Sequence, residues 1–203
     1  MNSVFLDSQI TVVILAGGKG RRMNTQDKGL VRLDNQPLIE YVLEAISQQN
    51  RNILINANQH IEQYQEYGYP VVSDEIADFQ GPLAGVAAAM GKVKTPYILT
   101  LPCDAPFVER DYQEKMWAAL ESQQTDLAVA FDGQRLQPVH ALIPVRLYAD
   151  LLNFLAGKSR RVDSWYSQYA MGLVDFSHQI RMFCNLNTPD ELRAYSVAEN
   201  KIV

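Results

Sequence analysis

Thiols are scarce: among 203 residues only Cys103 and Cys184 carry one. Two cysteines so far apart make neither a disulfide framework nor a Cys-based zinc site, so a reducing, cytoplasmic setting is expected. Long apolar runs are missing too. The longest aliphatic stretch, Val12 to Ala16, falls far short of the roughly 20 residues a membrane helix needs. The opening MNSVFLDSQI has neither the basic start nor the apolar stretch of an export signal, so the protein is expected to stay unexported and off the membrane. Positive charge is also in deficit, with 18 Lys and Arg against 23 Asp and Glu and a net charge of −5. That balance argues against general affinity for nucleic acid or an anionic bilayer, and any anionic ligand must find a local basic patch. The three histidines, His60, His140 and His178, show no metal-ligand spacing, and no G-x-S-x-G nucleophile elbow is present. No repeat, low-complexity tract or Pro/Gly/Ser linker divides the chain.

What is present reads as an ordinary globular protein, 47% hydrophobic and 20% charged, and residues 1–203 are expected to form a single domain. A chain of this size removes roughly 70% of its unfolded surface from water, enough for a core without covalent staples. Short β-branched runs alternate with amphipathic stretches. Strands are predicted at Ile10 to Leu15, Asn52 to Asn56, Pro70 to Ser73, Tyr97 to Leu101 and Asp126 to Phe131. Helices are predicted at Pro37 to Gln49, Ile61 to Tyr67, Leu83 to Val93 and Glu109 to Gln123. Such alternation specifies an α/β fold, a mostly parallel sheet with helices on both faces. Val139 to Ile143, after the turn-like DGQRLQP, is expected to add one antiparallel strand. Further helices are expected at Val145 to Leu155, Arg160 to Tyr169 and Pro189 to Ala198, the last opened by Thr188 as N-cap with Pro at the first position.

Ligands of such sheets sit at the carboxyl ends of the strands, and the segment leaving the first strand carries the most chemistry. It reads Leu15-Ala16-Gly17-Gly18-Lys19-Gly20-Arg21-Arg22-Met23, then Asp27-Lys28-Gly29, with four basic residues and one acidic between Gly17 and Lys28. Glycines let backbone N–H groups approach phosphate oxygens, while Lys and Arg neutralise their charge. A Walker A string is absent, and Met23 stands where a dinucleotide fingerprint needs its third glycine. The bland alternative is a solvated basic turn. A second feature, Pro102-Cys103-Asp104-Ala105-Pro106, follows another apolar strand. Asp104 can hold Mg²⁺ against substrate phosphates, since magnesium needs only one or two protein oxygens, or it can simply cap the turn.

Asn56, Asn58, Asp74, Asn185 and Asn187 fall at or just beyond expected strand ends, where they can bond base, ribose or metal-bound water, or act as turn formers and caps. Gly81-Pro82-Leu83-Ala84-Gly85 can bring backbone close to a base or ribose, or be only a tight turn with small-residue packing. Lys158, Arg160 and Arg161 form a second basic cluster that can receive an anionic co-substrate or be a solvated helix face. Cys103 reads as a small buried hydrophobe, His140 as a strand residue with a structural partner, and Tyr64, Tyr67 and Tyr69 as packing or surface aromatics.

The string VVILAGGKGRRM…DKG resembles the signature of nucleotidyltransferases that build nucleoside diphosphate conjugates. With NANQH, SDEIADFQGPLAGV, PCDAPF, QPVHAL and NLNTPDEL in order, the chain is most similar to the molybdenum cofactor guanylyltransferase branch, from about Ile10 to Leu192. The resemblance implies a Rossmann-like three-layer sandwich of the nucleotide-diphospho-sugar transferase type. It also implies transfer of GMP from GTP to the terminal phosphate of a molybdopterin, with pyrophosphate released. By the same resemblance, Lys28, Asp104 and Arg22 serve catalysis, and Asp104 holds Mg²⁺. Leu15, Ala16, Gly17, Gly18, Lys28, Asn56, Asp74, Gly81, Pro82 and Asp104 bind GTP. Arg160, Arg161, Asn185 and Asn187 are candidates for the pterin phosphate or a second metal contact. Sugar-nucleotide relatives carry Pro where Asp27 stands and a second metal-binding Asp in the region of Asn187. Transient contact with cofactor-insertion or chaperone proteins is implied by family analogy. Rival readings are CMP transfer to molybdopterin, nucleotide transfer to a sugar phosphate, and a GTP-binding regulator that never turns over. A nucleic-acid module is disfavoured by the acidic balance.

Overall fold

The computed structural model describes residues 3–17, 27–75, 81–157, 160–184 and 186. Helix α1 (Ser3–Gln9) leads into β1 (Ile10–Leu15), whose ITVVIL run is buried along its length. After a one-turn helix at Lys28–Leu30, the short strands β2 (Arg32–Leu33) and β3 (Gln36–Pro37) form a hairpin before α2 (Leu38–Ser47). Then follow β4 (Ile53–Asn56), α3 (Ile61–Gln65), β5 (Val71–Val72), α4 (Pro82–Met90), β6 (Tyr97–Pro102) and α5 (Tyr112–Gln123). The remainder is β7 (Leu127–Phe131), β8 (Leu136–Pro144), α6 (Tyr148–Ala156), α7 (Val162–Tyr166) and β9 (Met171–Asp175).

Seven strands make one sheet in the order β5-β4-β1-β6-β8-β7-β9. Only β8 runs against its neighbours, pairing antiparallel with both β6 and β7. Side chains of β1 alternate between two cores: Ile10, Val12 and Ile14 face α2 and α5, while Val13 faces α4, α6 and α7. A strand buried on both faces has no polar side, which is why it reads as a continuous apolar run. The α2 stripe of Leu38, Ile39, Val42, Leu43 and Ile46 recurs at helical spacing and is buried. In α4 every residue after Pro82 is buried, so its small side chains let the helix lie close on the sheet. The result is the expected α/β three-layer sandwich.

Most expected elements stand within a few residues of their predicted bounds. The helix expected over 160–169 is shorter, spanning Val162–Tyr166, and β9, parallel to β7 at the sheet edge, was not anticipated. The helix expected at 189–198 lies outside the described residues.

Strand β8 carries a Pro because its pairing breaks there. Partners jump from Ala130↔Gln137 to Val129↔Ala141, leaving residues 138–140 out of the β7 ladder, a bulge that needs no N–H from Pro138. Thr100 donates its hydroxyl to Val139 O at 2.7 Å, and Tyr166 donates to Pro138 O at 2.9 Å. His140, at the end of this bulge, is a strand residue whose structural partners are aromatic rings rather than a hydrogen-bonding group. Its ring packs edge-on against Tyr112 and Phe183, and its buried Nε2 has no hydrogen-bond partner in the structure. Burial lowers its pKa to about 3. The unfolded chain, with an ordinary histidine, therefore binds more protons between about pH 6.5 and 3. Stability from this residue is complete above that window and falls through it by up to about 1.4 kcal/mol per pH unit. In denaturant titrations at several pH values the stability of wild type relative to His140→Leu is expected to fall toward acid; a difference independent of pH would refute the buried neutral imidazole.

Candidate active site

The chain leaves β1 through α2 toward β4 but returns through α4 to β6 on the other side of β1, and the two helices cover opposite faces. A crevice must open at the carboxyl ends where these directions diverge, between β1 and β6. Leu15 pairs in register with Asn56 on one side and Pro102 on the other. The Ala16 amide donates to Asn56 O at 2.8 Å and the Cys103 amide to Leu15 O at 3.2 Å. Three strand ends are thus laced together, and the segments expected to carry chemistry leave from this seam.

Lys28 and Asp104, 76 residues apart in sequence, meet there, with Nζ 2.8 Å from Oδ2. The carboxylate side chain is 5% exposed and the ammonium side chain 28%, so the pair opens to the crevice from the lysine side. Each partner is held by its neighbours. Asp27 caps the one-turn helix Lys28–Leu30 by accepting from the Gly29 amide at 3.2 Å. Asp104 accepts the Leu186 amide on its backbone oxygen at 3.1 Å, which brings Leu186 alongside. Cys103 is fully buried and burial holds its thiol well above the usual range, as a small hydrophobe rather than a nucleophile.

A second cluster closes the crevice on the β4 side. Asn56 donates to Asp74 Oδ1 at 2.9 Å and Asn58 to Asp74 Oδ2 at 2.8 Å, while the Asp74 amide donates to Asn58 Oδ1 at 2.9 Å. Asn58 also donates to Gly17 O at 3.1 Å. Both carboxylate oxygens of Asp74 are therefore engaged by amides. Asn56 is 2% exposed, and it fits only because two glycines flank it. A Cβ at Gly17 would stand 2.9 Å from Asn56 Oδ1, and one at Gly85 would stand 2.2 Å away. The glycine of GPLAG nearest a functional group is thus Gly85, making room for a side chain rather than a ligand. Gly85→Ala is expected to cost about 1–3 kcal/mol by overpacking. Adding Asn56→Ala should relieve part of that cost, so denaturation midpoints of the single and double variants should be clearly non-additive.

Gly81 and Pro82 lie exposed at the start of α4. A Cβ at Gly81 would be 3.8 Å from Arg160 O, which places the Arg160–Arg161 turn beside that helix entrance. Arg161 pairs with Asp163 at 2.5 Å on the surface. Gly18, Lys19, Arg21, Arg22, Lys158, Asn185 and Asn187 lie outside the described residues. Tyr64, expected as a packing or surface aromatic, is fully buried, and its hydroxyl donates to Asp27 Oδ1 at 2.5 Å. No local spacing announces a bond across 37 residues.

Among the described residues no group of three or more His, Cys, Asp or Glu could hold a metal. A lone buried carboxylate is the donor set for a hard cation that keeps waters and shares substrate phosphates, not for a protein-built cage. Nor is any described helix long and apolar enough to cross a membrane.

The chain is similar to known proteins over most of its length. Residues 12–171 match the MobA-like NTP transferase domain. A molybdenum cofactor guanylyltransferase of Shewanella sediminis is 45% identical over 190 residues, covering 94% of this chain and 97% of the relative. One from Shewanella loihica is 43% identical over 193 residues, covering 95% and 98%. The crystal structure of molybdopterin-guanine dinucleotide biosynthesis protein A from Archaeoglobus fulgidus superposes with a TM-score of 0.79 at 22% identity, over 94% of this chain and 99% of that one. At that identity the likeness speaks for the fold.

Proposed function

The chain belongs to the MobA-like NTP transferase family, and on that footing we infer that it transfers GMP from GTP to the terminal phosphate of molybdenum-bound molybdopterin. The products are the molybdopterin guanine dinucleotide cofactor and pyrophosphate. An oxygen of the acceptor phosphate attacks the α-phosphorus of GTP, a new P–O bond forms, and the bond to the β-phosphate breaks with its electrons leaving on pyrophosphate. No general base is required, because the acceptor oxygen is already anionic at neutral pH. That accounts for a site built without a poised histidine.

The difficulty is repulsion. At about 4 Å each pair of unit charges costs about 1 kcal/mol in water and about 4 in a partly dry cleft of effective dielectric near 20. The observation that carries the assignment is the ammonium of Lys28 facing the carboxylate of Asp104 at 2.8 Å, at the carboxyl ends of adjacent strands. Lys28 lies where a point charge reaches a triphosphate. Asp104 would hold Mg²⁺, which when bound neutralises phosphate charge and orients the leaving group. Asn56 and Asp74 line the nucleoside end with Leu15, Ala16 and Gly17. Gly18 and Arg22 extend the phosphate loop, and Gly81 and Pro82 bring the α4 entrance toward the nucleotide. Arg160 and Arg161, beside that entrance, receive the pterin phosphate, and Asn185 and Asn187 are further candidates for that phosphate or a second metal contact. The enzyme works in the cytoplasm, on small-molecule substrates, with transient contacts to proteins that insert the cofactor.

The experiment is pyrophosphate release on mixing the protein with Mg²⁺, molybdopterin and each of the four NTPs in turn. Release with GTP and molybdopterin together is expected. Turnover with CTP in its place, or with a sugar phosphate as acceptor, would move the protein to another branch. GTP binding without pyrophosphate from any acceptor would make it a regulator.

A further inference from the structure

We propose that Tyr64 is a positioning residue for guanylyl transfer, acting through Asp27 to fix the one-turn helix that presents Lys28 to Asp104; this rests on the role given to Lys28 above. Tyr64 comes from α3, on the connection between β4 and β5, and is fully buried. Its hydroxyl donates to Asp27 Oδ1 at 2.5 Å, a length typical of a bond to a carboxylate. The same oxygen accepts the Gly29 amide at 3.2 Å, so one atom joins the tyrosine to the backbone on the far side of Lys28.

The turn is gripped from two directions. A Cβ at Gly29 would fall 2.6 Å from the Tyr64 hydroxyl and 3.2 Å from both Cβ and Sγ of Cys103. Gly29 is therefore wedged between Tyr64 and the residue preceding Asp104, and Lys28, its neighbour, has little freedom to slide along the crevice. Helix α3 is also set at a fixed angle. It is entered through His60 at φ 49 and ψ 35, a left-handed conformation uncommon for a side chain bearing a Cβ, with Tyr64 N donating to His60 O at 3.1 Å.

Packing alone does not explain the hydroxyl. A phenylalanine would fill the same volume, whereas a buried hydroxyl costs free energy unless it is paired. Its partner is a carboxylate whose other bond caps the catalytic turn. Burial holds the phenol far above its ordinary range, so it remains a donor at any working pH. Burial likewise raises the Asp27 carboxyl, against the opposing hydrogen bonds from Tyr64 and Gly29. The pair spends its hydrogen bonds inward and leaves Lys28 to face the crevice.

A double-mutant cycle with Lys28 tests this, read by initial rates of GTP- and molybdopterin-dependent pyrophosphate release together with thermal midpoints. Tyr64→Phe in the wild-type background is expected to lower kcat about tenfold to a hundredfold, the order of loss that misplacing a group by about 1 Å produces. In a Lys28→Met background the same change should cost less than about twofold, since residues that act as one unit are non-additive. Equal losses in both backgrounds, or a loss that tracks the thermal midpoint alone, would reduce Tyr64 to a packing residue. A large Lys28→Met effect with none from Tyr64→Phe overturns the proposal but not the role of Lys28. A harmless Lys28→Met overturns that role first. Should Tyr64→Phe fail to fold, Asp27→Ala opens the same bond from the other end and is read in the same cycle.

Discussion

Asp104→Asn is expected to lower guanylyl transfer by at least about a thousandfold while leaving the protein folded. The carboxylate side chain is 5% exposed at the carboxyl end of a central strand, with Lys28 2.8 Å away. Asparagine keeps the size and one acceptor oxygen but loses the charge that draws a hard cation, and neutral amides bind such cations weakly when water competes. A loss of about 10³ corresponds to about 4 kcal/mol of transition-state stabilisation, within the range that removing one group aimed at developing charge produces. The structural cost is smaller. Lys28 is partly solvated, so the lost pair should cost about 1–2 kcal/mol of stability, and the backbone bond from Leu186 to Asp104 O does not depend on the side chain. Near-wild-type turnover at ordinary Mg²⁺ by folded Asp104→Asn would remove the carboxylate from the chemistry; raising the Mg²⁺ concentration should restore part of the rate, because the variant's defect is weakened binding of the cation.

The architecture was legible where burial left a simple mark. Strands β1, β4, β6 and β7 are covered on both faces, so ITVVIL, ILIN, YILTLP and LAVAF stand out as apolar runs. The same rule placed Lys28 and Asp104 in one crevice, because loops at the carboxyl ends of parallel strands must converge. Strand β9 escaped for the opposite reason: at the edge only Gly172 and Val174 are buried, Leu173 is exposed, and a glycine breaks the pattern. Its exposed edge is blunted by the Gln123 side chain, which donates to Leu173 O and accepts from Leu173 N. No rule of spacing foretells that contact.

Within the site, the strand-end asparagines and Asp74 were visible as residue types but not as a closed network, since Asn56 to Asp74 is a bond across 18 residues. A clue to the cradle lay in α4. A glycine inside an alanine-rich helix gives up roughly 1 kcal/mol relative to alanine, a cost that points to a close neighbour; the neighbour is Asn56. Tyr64 left no such clue. A tyrosine in EQYQEYGY looks like any half-buried aromatic, and only the folded chain shows its hydroxyl against the cap of the Lys28 turn.

Lys28→Met is expected to reduce kcat/KM for GTP by about 10²–10³, a loss of about 3–4 kcal/mol. Methionine keeps an unbranched apolar side chain of similar length, so the change isolates the charge. Lys28→Arg should recover only part of the rate. A planar guanidinium is longer and spreads its charge over a fork, whereas the turn between Tyr64 and Cys103 leaves one short path to Asp104. A second reading separates phosphate binding from mere pairing with the carboxylate. With Nζ 2.8 Å from Asp104 Oδ2, a cation arriving without nucleotide competes with the ammonium for the same carboxylate and is repelled by it. In Lys28→Met the competitor is gone, so Mg²⁺ alone should raise the thermal midpoint of the variant more than that of wild type, while Asp104→Asn should show no such rise. If Mg²⁺ shifts wild type and Lys28→Met equally and GTP kinetics are unchanged, Lys28 is a surface cation near the site and the phosphates are held by other groups.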